Sequence, residues 1–384
     1  MARYTANYQI VLYDSAGTKL AILDDYRSLQ FQKVVNDKGF FTLIINNNDA
    51  KKALFEKNGI LIVMRKIPGY TNWYTEFEGH CEDFYTNIYQ NGNEQFTVVG
   101  SGFNGLLARR IIAYEEGTFQ ASKSDFSETV MKEFVQENIG PSATVANTRF
   151  ADGVQTNFTV AADTAAGLVW NGDRTGKNLL QVLQEISNFS EIDFDVSTNT
   201  TVGTYVFQTY EDQLGSDRTV VGLNPATGLN GAGNAPHVFS PIMGNVQEAS
   251  FSTKAKESSN RVFVYGQGTG ATRQIEYRED ATLIGVNNIN LRESMRGGSS
   301  QNSAVKLQSL GDEQLEKLKE QEKFEFTPMD IPSSLYGVNY FFGDKVTVRI
   351  GNEQRNKRIV SVKISLASGK GESEKSFEFE DIPT

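Results

Sequence analysis

The sequence is poor in the side chains that do acid–base and redox chemistry near neutral pH. Its 384 residues include one cysteine, Cys81, and two histidines, His80 and His237. A single thiol excludes an intramolecular disulfide framework and a cysteine-rich zinc site. Long apolar runs are missing too. The longest, "ILIVM" and "GLLARRIIA", fall far short of the roughly 20 residues that a membrane-spanning helix needs. The opening "MARYTANYQIVLYDSAG" has no apolar stretch of leader length, so no secretory leader is expected and the chain is expected to be made in a cytoplasm. Basic residues are not in excess: 37 Lys and Arg face 47 Asp and Glu, for a net charge of −10 and no basic stripe. Gripping nucleic acid requires clustered cations against the phosphates, so specific nucleic-acid binding is not expected. A wall that repels phosphate would instead let DNA slide past.

Glycine and aromatic residues are plentiful. The 34 Gly against 8 Pro predict many turns, and 25 Phe with 15 Tyr favour strands over helix bundles. The length exceeds one ordinary core and predicts several domains. Residues 8–100 read as strands: "YQIVLYD", "LAILDD", "SLQFQKVVN", "GFFTLIINN" and "GILIVMRKI", then two strands joined by Asn91-Gly92, a strong hairpin signal. The period then lengthens. In 124–139, Phe126, Val130, Phe134 and Val135 share a helical face, Asp125 and Glu128 suit a capping box, and Gly140 suits the position after the helix. A second helix is predicted over 177–189, with "IDFDVS" and "TYVFQTY" as paired strands beneath it. Residues 215–245 are rich in Gly, Asn and Pro and read as a long connection. A third helix is predicted over 303–322, with Ala304, Leu307, Leu315 and Leu318 inward, as a lid on a local sheet.

Shifted by about 280 residues, the end of the chain repeats the strand order of its beginning. Phe40 and Thr42 fall near Phe324 and Phe326, Ile62 and Met64 near Val346 and Val348, and the hairpin 73–99 on 358–380. The expected fold is therefore mainly β: two tube-like β-barrel or sandwich modules flanking a smaller α+β domain. The expected divisions are 1–108, 109–213, a Gly/Asn-rich connection at 214–239, and 240–384 including the helix 303–322.

No constellation points to catalysis, a cofactor or a metal. Adjacent strand residues face opposite ways, so His80 and Cys81 cannot form a nucleophile pair, and His237 has no evident partners. "NGDRTGKNLL" (171–180) is one residue short of a phosphate loop, with Asn178 where Ser or Thr would meet magnesium. "GQGTGA" (266–271) has dinucleotide-loop spacing with Ala271 in third place, but a strand follows it, so it reads as a hairpin tip. Glu191, Asp193 and Asp195 alternate with Ile192, Phe194 and Val196; they are paired acid–base carboxylates, a calcium face, or the solvated face of a strand, and the last is the simplest.

"YQIVLYDSAG…LDDYRSLQFQKVVNDKGFFTLIIN" resembles the start of short tail-hub proteins of long-tailed, siphovirus-type phages. The run Phe31, Val35, Asn36, Asp37, Gly39 is its most specific stretch. "GILIVMRK", "WYTEFEGHCEDF", "DFSETVMKEFVQENIG" and the closing "YGVNYFFGDKVTVRI…RIVSVKISL" continue the resemblance over nearly the whole chain. It implies a structural hub of a tail tip in the virion: a homotrimer whose two β modules per chain give a ring of six. That ring would mate a six-fold tail tube or distal tail ring to three-fold tip or fibre proteins and the tape-measure protein, with DNA only in transit and no stable membrane insertion. Larger relatives carry C-terminal peptidase, lysozyme or fibre modules; this sequence stops at Thr384, so no built-in cell-wall enzyme is expected. Two other readings are a carbohydrate-binding adhesin using Trp73 or Phe84, Tyr85 and Tyr89, and a hydrolase using Glu191 or Asp193.

Overall fold

The computed structural model describes residues 6–23, 25–46, 49–67, 69–118, 122–298, 301–351, 353–367 and 371–382. The first β module contains β1 (Asn7–Tyr13), β2 (Lys19–Leu23), β3 (Ser28–Val34), β4 (Phe40–Asn46), the single turn α1 (Asp49–Lys52), β5 (Ile60–Lys66), β6 (Tyr74–Ile88) and β7 (Glu94–Gly102). Period-two patterning builds it. Leu29 and Phe31 of β3, and Phe41, Leu43 and Ile45 of β4, are wholly buried, while the intervening residues reach solvent. The Asn91-Gly92 turn joins β6 to β7 as expected, with Gly92 at φ +77° and its N–H on the Tyr89 carbonyl.

The short α2 (Gly105–Ala108) leads into the α+β unit: β8 (Ser122–Phe126), α3 (Ser127–Asn138), β9 (Phe158–Val160), β10 (Val169–Asp173), α4 (Leu179–Ser190), β11 (Asp193–Thr198) and β12 (Tyr205–Tyr210). Strands β11 and β12 are the antiparallel pair read from the sequence, and β9 joins β12 in parallel. This unit shares its core with the first module. Ile60 and Ile62 of β5 pack among its Phe134, Trp170 and Leu183, whereas Leu61 and Val63 face the core between the β modules. Buried on both faces, β5 reads as an unbroken apolar run.

After β13 (Asp217–Arg218) and β14 (Val238–Phe239) come β15 (Val246–Lys254), β16 (Arg261–Tyr265), β17 (Ile275–Glu279), the turn α5 (Ala281–Ile284), β18 (Glu293–Gly297), α6 (Ala304–Lys317), β19 (Gln321–Pro328), β20 (Lys345–Ile350), β21 (Glu353–Ala367) and β22 (Gly371–Asp381). Helix α6 covers the small sheet β17-β16-β18 through Leu307 and Leu310 against Val262 and Val264. No helix among the described residues is long and apolar enough to cross a membrane.

The large sheet runs β20-β21-β3-β4-β7-β6-β5-β1-β2, so β3 of the first module lies against β21 of the second. In the first module the order is β3-β4-β7-β6-β5. In the second, β15 pairs with β19, β19 runs beside β22, and β22-β21-β20 follow, which is the same order. The ladders break at the same place: β6 skips a residue between Cys81 and Asp83, and β21 between Ile359 and Ser361, both 278 residues on. The entries to β5 and β20 also match. Asn58 N–H and Cys81 C=O bond at 2.8 Å with Asn58 at φ +63°, as Gly343 N–H and Ile359 C=O do at 3.0 Å with Gly343 at φ +87°. The chain is mainly β, with two β modules of one strand order flanking an α+β unit.

Several local expectations need correction. The capping box does not form. Phe126 takes the cap position of α3 without a side-chain bond, because the Glu128 carboxylate turns inward to Lys132, Thr164 and Thr209. Helix α6 stops at Lys317, before the expected 322, because the chain from Gln321 enters the ladder with β15. Its buried face carries Leu310 and the charged Glu313 besides Leu307. The Gly/Asn-rich connection is tied at both ends: β13 and β14 pair in parallel with β20, and Phe239 is wholly buried.

Candidate functional site

The residues that sequence reading weighed for chemistry occupy structural positions. Cys81 points into the core between the β modules, and burial pushes its thiol up to about 12. His80 lies between Phe103 and Tyr205, at ring centroids 4.8 and 5.3 Å away, and burial brings it down to about 4. His237 stacks on Tyr340 at 4.7 Å and meets the Ser334 hydroxyl at 3.1 Å. In the loop 171–180, Asn178 caps α4 through Gln181 N–H, and Arg174 is drawn to Glu185 and Glu313. The stretch 266–271 forms the turn between β16 and β17, as expected.

The alternating carboxylates do not share a solvated face. Glu191 is exposed and ends α4 at φ +56°. Asp193 is 1 % exposed and accepts bonds from Arg358 at 3.0 Å and from Leu214 N–H at 2.7 Å. Asp195 lines a cleft of about 380 Å³ together with Lys33, Asp37, Glu76 and Glu78. Burial, helped by nearby Glu78, pushes Asp195 up to about 7. The alternation predicted along β11 is present, but Asp193 is buried at the joint and Asp195 lines the cleft, so neither lies on the solvated strand face expected. Among the described residues, no group of three or more His, Cys, Asp or Glu is arranged to hold a metal ion.

The best-built feature of the molecule is the joint between its parts, and the run from Phe31 to Gly39 sits at its centre. Phe31 is a core residue opposite Ile364 of β21. Val35 N–H bonds the Val360 carbonyl at 2.9 Å, at the bulge of β21. Asn36 turns at φ +58°, a left-handed geometry that Asn tolerates better than branched residues. Its amide donates to Ser187 and Asp193 and its oxygen accepts from Phe194 N–H, at 2.7 to 2.9 Å. Gly39 is required: at φ +54°, a Cβ would lie 2.2 Å from the Gln32 carbonyl. Through Asn36, Asp193 and Arg358, one node ties the first module, the α+β unit and the second module together.

The sequence profile of the Siphovirus ReqiPepy6 Gp37-like protein family matches residues 9–375. The chain belongs to this phage tail protein family. No curated protein matches the sequence significantly. Solved tail proteins share the fold. The tail protein from Neisseria meningitidis MC58 superposes with a TM-score of 0.52 at 10% identity, covering 98% of this chain and 97% of that one. The prophage MuSo2 43 kDa tail protein from Shewanella oneidensis gives 0.51 at 15%, covering 97% and 98%. The Francisella PdpA-VgrG complex, lidded, gives 0.53 at 12%, covering 98% of this chain and 52% of that one.

In this member of the family, a buried polar cluster reinforces the joint. Arg65 of β5 donates to the Tyr8 and Tyr74 hydroxyls and the Tyr336 carbonyl at 2.7 to 2.8 Å, and pairs with Glu372 of β22 at 2.9 Å. The Tyr336 hydroxyl donates to Glu76 at 2.8 Å, and Glu76 also pairs with Lys33 of β3. The cluster contains residues of both β modules, so it locks their relative position. It was invisible in the sequence because its two halves, one within 8–76 and the other within 336–372, are hundreds of residues apart.

Proposed function

We propose that this tail protein is the structural hub of a phage or phage-like tail tip. Three chains would form a ring of six β modules around a DNA channel, and the ring would adapt a six-fold tail tube or distal tail ring to three-fold tip or fibre components. On this reading 1–108 and 240–384 supply the ring modules, 109–213 lies beside them, and 214–239 connects. The observation that carries it is the shared strand order of the two modules, joined edge to edge at β3 and β21. Equivalent positions in a symmetric ring need equivalent surfaces, and a chain bearing two copies of one module satisfies three-fold and pseudo-six-fold symmetry together. The net charge of −10 suits a channel wall that does not hold phosphates. The role is non-enzymatic, and the location is the virion. The tape-measure protein and the neighbouring tail rings are the partners, and DNA only passes through. Cryo-electron microscopy of assembled tail tips tests this: three coaxial copies per tail are expected, and six copies, or none on the axis, would reject it.

A further inference from the structure

The contact between β3 and β21 is a template for a contact that one chain cannot make with itself. Strand β21 has two neighbours on one side, in succession: β20 along Glu353–Arg358, then β3 along Ser361–Ala367. Strand β6 begins in the same way, with β5 along Tyr74–His80. Beyond that point, Asp83–Ile88 bond β7 on one side and, among the described residues, have no ladder on the other. The place that β3 fills on the second module is open on the first.

The matching strand is open as well. β15 stands first in the second module, as β3 does in the first, and among the described residues β19 is the one strand it ladders with. Gln247–Ser250 are exposed on both faces, and Tyr85 and Ile88 of β6 are more than half exposed. Neither stretch contains a proline that would block a ladder.

We infer that β15 of one chain adds to the open edge of β6 in a second copy of this chain, repeating between chains the β3–β21 joint within each chain. This rests on the hub reading, and it names the contact that closes the ring. The contact is head-to-tail, so it must close on itself or run on as a filament. Covering both edges also removes a template for uncontrolled pairing. The register follows from the internal joint. Ile364 lies opposite Phe31, and Phe31 opposite the buried Phe41; Thr86 corresponds to Ile364, and Ala249 lies opposite the buried Phe326. Thr86 should therefore face Ala249 of the next chain.

Thr86→Cys with Ala249→Cys tests the contact in assembled tail tips. Facing residues in an antiparallel ladder have Cα atoms about 4.5–5.5 Å apart, within disulfide reach. The native Cys81 is buried and does not compete. Mild oxidation should give linked dimers and trimers of the double variant on non-reducing gels. Tails co-assembled from the two single variants should give linked dimers only. Three axial copies with no link at this register or one step either side would overturn the joint and leave the hub standing. Links in an assembly of another copy number would support the joint and reject the trimeric ring. Cross-linking confined to single chains would overturn the inference.

Discussion

At the residue scale, buried ionisable groups set how stability depends on pH. Burial holds His80 and His237 down to about 4. An unfolded histidine titrates near 6.5, so between those values the unfolded chain takes up protons that the native chain refuses. Each histidine therefore lowers stability as pH falls through that window, by about 1.4 kcal/mol per pH unit at most. Asp195 works the other way: its native pKa is raised to about 7, so its stabilising share is full near pH 4 and is lost as pH rises through 7. His80→Phe should thus lose less stability than the parent chain between pH 7 and pH 4.5 in urea unfolding, and parallel pH profiles would refute the assignment. Asp195→Asn should gain on the parent at pH 8 and match it at pH 4. Gly39→Ala meets both a positive φ and the Gln32 carbonyl, and should cost about 3 kcal/mol in the same assay.

At the scale of elements, most assignments were legible because their causes are local. The Asn-Gly hairpin, the apolar faces of α3 and α4, and the period-two strands depend on residues a few positions apart. Helix α6 shows the limit. Its Glu313 looks like one acid on a polar face, yet it is 5 % exposed and accepts from Trp170 at 2.9 Å and from Arg174 at 2.7 Å. Arg296 of β18 meets it at 2.9 Å. These bonds fasten α6 and its small sheet to the α+β unit. Removing one partner of a buried pair leaves the other charge unpaired, which costs about 3–5 kcal/mol. Glu313→Ala should therefore destabilise the chain by that order and open 255–318 to proteolysis early. An unchanged digestion pattern would show that the docking does not depend on this acid.

At the scale of the whole molecule, the modules, the α+β unit and the connection are held by contacts of very different density. Residues 221–229 lie exposed between β13 and β14, although both ends of the connection are anchored on β20. Limited proteolysis of the isolated protein should cut first there, as exposed loop segments are the favoured sites. A first cut within 177–210 would mean that the α+β unit opens before the connection does.

The sequence by itself determined the β-rich class, the hairpins, the helices and the repetition of one module, since each follows from short-range periodicity or from comparing the chain with itself. Only the tertiary structure decided what each face meets. The alternation of Asp193 and Asp195 is the same whether a strand faces water or a neighbouring module. Contact with Asn36 and Arg358, more than 150 residues away in each direction, made Asp193 a joint instead of a solvated acid. The pairing of β3 with β21 is likewise absent from any local pattern. Edge strands of similar composition compete for one place, and the choice falls to the packing of distant cores around them.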